Sequence, residues 1–149
     1  MGSSSIRFQG RKFEANDATM EVLLALMVKA MDEMRDVPAW LREVRDDWHM
    51  RASEGFGFGV TPGLDRFATD DQKRDTLAGI ARGALARLES YGEVIPREEL
   101  NALQTGGEGA TFLADVPAEV FVRPARYFLK LLEGKLEPWE NDARVAESP

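Results

Sequence analysis

The stretch Asp17–Arg35, DATMEVLLALMVKAMDEMR, decides the fold. Met20, Leu23, Leu24, Met27, Met31 and Met34 recur at helical spacing, while Val22, Ala25, Leu26 and Val28 fill the other faces. Between Met20 and Asp32 the charged interruptions are Glu21 and Lys29. A helix that is apolar on almost every side must be surrounded, by the other helices of a bundle or by an interface. The run falls short of the roughly 20 apolar residues that a bilayer span needs. Asn16 or Asp17 stands where an N-cap oxygen is wanted.

Upstream, Ile6–Phe13 (IRFQGRKF) alternates apolar and polar residues about Gln9-Gly10, which predicts a small β-hairpin. Downstream, Pro38 suits the first position of a second helix reaching Ser53, because its missing N–H would be unpaired there anyway. Leu41, Val44 and Trp48 form the apolar face of that helix, with Arg42, Glu43, Arg45, Asp46 and Asp47 opposite. Residues 54–69 (EGFGFGVTPGLDRFAT) are too rich in glycine for regular structure, and irregular segments of this length are often functional. Thr69 at N-cap and Gln72 at N3 make a capping box for a third helix. Its core stripe is Leu77, Ile80, Ala81, Ala84, Leu85, Leu88 and Tyr91, and Gly92 ends it. Gly79 and Gly83, four apart, predict close packing of a neighbour. Pro96–Gln104 reads as a short helix. Thr111–Leu113 and Glu119–Val122 read as a second hairpin, and Pro124–Glu133 as a last helix stopped by Gly134.

The expected fold is therefore mainly α. It is a single-domain bundle of four or five helices over residues 1–134, with one or two small β-hairpins. Residues 135–149 read as a loose polar tail with Trp139 as its candidate anchor.

The chain has 149 residues and a formal charge of −7. Phosphate backbones and anionic membranes repel such a surface, so neither nucleic acid nor a membrane is an expected partner; a basic or neutral protein is. No cysteine is present, which removes disulfides, thiolate catalysis and cysteine metal sites. The opening MGSSSIRF lacks the apolar core of a signal peptide, and a cytoplasmic location is expected.

His49 is the one histidine, so a zinc site built from several imidazoles is not expected. Asp46, His49 and Ser53 lie on one helix, whereas the members of a catalytic triad converge from separate elements. The clustered carboxylates (Asp32, Glu33 and Asp36; Glu43, Asp46 and Asp47; Asp70, Asp71 and Asp75; Glu98 and Glu99) sit on polar faces or at helix starts and are not expected to have the burial that splits a pair's pKa values; Asp65, inside the loop, is the exception. Gly55, Gly57, Gly59 and Gly63 match neither dinucleotide nor Walker spacing, since Val60, Pro62 and Leu64 occupy the deciding positions. No catalytic residue, cofactor or metal is expected.

The residues assigned to partner binding are Phe56, Phe58, Phe67 and Asp65 of the loop, with Glu43, Asp46 and Asp47 of the second helix. Phe56 and Phe58 alternate with glycines, so in an extended segment both rings face one way; the competing role is to pin the loop to the core. The leading expectation is a non-enzymatic protein-binding module of inhibitor, immunity or adaptor type. One alternative is a small-molecule-binding protein or enzyme with a pocket walled by residues 54–69 and using Asp65, His49 and Arg66. Another is a homodimer or larger scaffold joined through the methionine-rich helix.

Overall fold

A computed structural model describes residues 2–54, 60–107 and 110–144. Among them the chain forms β1 (Ser3–Phe8), β2 (Arg11–Asn16), α1 (Asp17–Asp32), α2 (Ala39–Glu54), α3 (Leu64–Phe67) and α4 (Asp71–Ser90). It continues through β3 (Val94–Ile95), α5 (Arg97–Ala102), β4 (Val116–Pro117) and α6 (Glu119–Glu133). The fold is mainly helical with two antiparallel two-stranded sheets.

The central run is a buried helix. α1 packs against α2, α4, α6 and β2. Met20, Val22, Leu23, Leu24, Leu26, Met27, Val28 and Met31 are all buried, which accounts for apolar residues on every face. The β1–β2 hairpin pairs Ile6 with Phe13 and turns through Gln9 and Gly10, whose φ values of 51° and 80° mark a left-handed two-residue turn. Ile6, Phe8, Phe13 and Ala15 are buried beneath it, and Phe13 meets the Tyr127 ring edge-on at 5.7 Å. In α2, Trp48 is fully buried; its Nε1–H donates to the Pro62 carbonyl at 2.8 Å and its ring packs edge-on against Phe128.

Several elements differ from the sequence expectation. The last helix begins at Glu119, not Pro124, and contains that proline. Phe121, Val122, Ala125, Phe128, Leu131 and Leu132 are buried at helical spacing, so packing of one apolar face outweighs the hydrogen bond that Pro124 cannot make. The run 119–122 is accordingly helix, and Thr111–Leu113 carries no strand; the second sheet pairs Val94 with Pro117 and Ile95 with Val116. α4 is capped one residue later than the capping box implies: Asp70 accepts from the Lys73 amide at 2.8 Å. Its carboxylate brings a full charge to the positive end of the helix, which the Thr69 hydroxyl cannot. Gly79 and Gly83 are exposed, and a Cβ on either would meet nothing within 4 Å.

The segment after α6 is docked as far as Arg144. Leu136 and Ala143 are buried, and Glu14 of β2 exchanges backbone hydrogen bonds with Asn141 and Ala143 at 2.9 and 2.8 Å. Lys130 Nζ donates to Glu140 at 2.7 Å. Trp139 is not the anchor: it is 75% exposed.

Candidate functional site

α1, α2, α4 and α5 do not close completely on one another. Between them lies a cleft of about 430 Å³. Its floor is apolar because each helix turns part of its buried stripe toward it: Val22 and Leu26 from α1, Leu88 from α4, Ile95 and Leu100 from β3 and α5. Charged and polar side chains border the opening. Lys29 and Asp32 come from α1, Arg45 and His49 from α2, Arg87 and Tyr91 from the end of α4, and Glu99 from α5.

The rim charges are unequally committed. Arg45 clasps Asp32 with both ends of its guanidinium, Nε to Oδ1 at 2.9 Å and the terminal nitrogen to Oδ2 at 3.2 Å, and also reaches Asp46 at 3.3 Å. These partners raise the Arg45 pKa further, the Asp32 hydrogen bonds first among them. The Tyr91 hydroxyl lies 3.4 Å from a Glu99 oxygen. Lys29 and Arg87, by contrast, enter no ion pair among the described residues. An acidic protein thus presents uncommitted positive charge at the mouth of an apolar cleft.

No family model, curated protein or solved structure matches this chain.

Of the residues singled out from sequence, His49 borders the cleft and is exposed. Ser53 also lines it, but its hydroxyl donates to the His49 carbonyl at 2.7 Å, within its own helix. Asp65 and Arg66 do not line the cleft. Asp65 accepts from the Gln9 amide at 2.9 Å and ties α3 to the hairpin turn. The Arg66 guanidinium lies 4.2 Å from the Phe67 ring centroid and reaches Asp47 at 3.3 Å. Asp47 is shared with Arg51 at 2.9 Å, so it is a neutralised, half-buried junction. Phe67 is a core residue, 6% exposed, and its ring is not offered to a partner in this fold. Glu43 and Asp46 are exposed on the outer face of α2. Phe56 and Phe58 lie outside the described residues. No group of three or more His, Asp or Glu side chains is placed to share a metal ion among the described residues, and no helix there is long and apolar enough to cross a membrane.

Lys29, Arg45, Arg87, Tyr91 and Glu99 are not among the residues that the sequence marks for binding; Tyr91, expected in the core stripe of α4, is half-buried at the border of the cleft. One signal was present: Lys29 interrupts an otherwise apolar helix face, where a charge needs an opening to water.

A second buried feature stands near the start of α1. Glu21 is 7% exposed, and its Oε2 has no hydrogen-bond partner among the described residues. Burial first, and then the Asp17 carboxylate, push its pKa from the ordinary 4.5 to about 7. The 104–107 turn covers it. A Cβ at Gly106 would stand 3.8 Å from Oε2 and 3.0 Å from Ala110 Cβ, so this position has little room for a side chain. The Gly106 amide donates to the Ala52 carbonyl at 2.9 Å and is thereby used elsewhere.

Proposed function

We propose that this chain is a non-enzymatic binding protein whose ligand is a small molecule held in the cleft between α1, α2, α4 and α5. The observation that carries this reading is the cleft itself: about 430 Å³, apolar below and bordered by a few charged groups. Sites for small ligands have this size and this division between floor and rim. Binding rather than catalysis is favoured because, among the described residues, the rim pairs no nucleophile with a base, and Ser53 is turned to its own helix. Filling the cleft tests the assignment. In a thermal-shift panel of small organic ions and neutral apolar compounds, ligands should raise the melting temperature of the wild type by mass action. The variant Ala25→Trp, which places a large ring in the cleft, should not respond. A panel that shifts both proteins equally would place the site elsewhere, and one that shifts neither would remove the small-molecule reading.

Docking of a protein partner is the second reading. It is favoured by two large apolar side chains at the surface, Leu113 at 81% and Trp139 at 75% exposure. The scaffold reading has less support, since Met20, Met27 and Met31 are spent in the chain's own core.

A further inference from the structure

We infer that the cleft takes an organic monoanion with an apolar body, a carboxylate on a hydrocarbon chain or ring. The inference rests on the cleft being the binding site and adds the class of ligand. The carboxylate is bound by Lys29 and Arg87, and the hydrocarbon by Val22, Leu26, Leu88 and Leu100.

The rim chemistry selects the head group. Of the rim carboxylates, Asp32 has both oxygens held by Arg45, while Glu99, 3.4 Å from the neutral Tyr91 hydroxyl, keeps its charge; among the described residues, two unpaired cations against one unpaired carboxylate make an anionic head group the favoured one. A neutral head group would leave the charge of Lys29 and Arg87 unused. These two side chains approach from α1 and α4, have no ion-pair partner among the described residues, and carry donors that match an anionic oxygen. Charge number is limited by the same rim. Asp32 and Glu99 border the cleft, and the whole chain carries −7, so a second negative charge on the ligand is opposed. This disfavours phosphate monoesters and favours carboxylates. The floor adds an apolar requirement: simple ions such as acetate leave it in contact with water.

Calorimetric titration with a matched series decides it. Octanoate, octanol, octylamine and octyl phosphate share one chain and differ in head group. For the wild type, octanoate should bind about tenfold or more tighter than octanol, the scale of a hydrogen bond to a charged group. Octylamine should bind more weakly than octanol, and octyl phosphate no tighter than octanoate. From hexanoate to decanoate, affinity should rise about fourfold per methylene until the floor is covered. The double variant Lys29→Gln, Arg87→Gln should keep octanol binding and lose the preference for octanoate. Both residues are at the rim, so the fold should survive the change; the head-group comparison on the wild type stands without any variant. Equal affinity for octanoate and octanol, or a preference that persists in the double variant, would overturn the inference while leaving the cleft as a binding site. Failure of every head group to bind would overturn the inference and the cleft reading together.

Discussion

Ionising Glu21 inside the fold costs free energy, because burial strips its carboxylate of water and Asp17 lies one turn away; among the described residues Oε2 has no donor. Unfolded, this carboxyl titrates near 4.5; folded, at about 7. Between those values the folded chain holds a proton that the unfolded chain has released. Stability therefore falls as pH rises through this window and levels off above it. The displacement is worth at most about 3 kcal/mol. Denaturant melts of the wild type at pH 5 and pH 8 should differ by up to that amount, with the lower pH more stable. In Glu21→Gln the Glu21 share of the difference should vanish; an unchanged difference would mean that Glu21 is hydrated in the fold. The sequence showed Glu21 only as an interruption of an apolar run. The 104–107 turn, which approaches its Oε2 at Gly106, is remote in sequence. The same remoteness hid Asp65, whose loop position suggested a binding role but whose carboxylate accepts a hairpin amide 56 residues upstream.

Elements with a complete local signal were legible. α1 follows from apolar residues on all faces, the first hairpin from Gln9-Gly10, and α4 from its stripe and from Gly92, whose φ of 85° ends the helix. The stripe's edge was less sharp: Leu77 and Leu88 are buried, but Leu85 is half-buried. Misread elements are those where a local rule yields to packing. Pro124 resembles a helix start, yet the helix extends five residues before it, because Phe121 and Val122 gain a place in the core. Gly79 and Gly83 resemble a packing notch, yet they face open space. Each glycine therefore weakens α4 without a compensating contact. Gly79→Ala and Gly83→Ala should each stabilise the protein by about 1 kcal/mol, read as a higher denaturant midpoint with unchanged slope. Destabilisation by either would show that a neighbour approaches that face closely.

Across the whole molecule, the −7 charge is distributed unevenly. Asp46 and Asp47, expected on an acidic docking face, are bonded to Arg45, Arg51 and Arg66. Lys29 and Arg87, two of the cations that enter no ion pair among the described residues, stand together at one opening. Composition reports the net charge and cannot report this division, since it arises from which helices meet. The cleft was illegible for the same reason: its lining comes from four helices and a strand, and from no single stretch of sequence. On the proposed reading, this cleft, and not the acidic face of α2 or the 54–69 loop, is where the protein binds. Backbone amide NMR during a titration with octanoate distinguishes these three surfaces. Shifts should concentrate at Leu26, Lys29, His49, Arg87, Tyr91 and Leu100, with Glu43, Asp47 and Asp65 unmoved. Shifts centred on Glu43, Asp47 and Asp65, or none at the cleft at saturating ligand, would contradict the account.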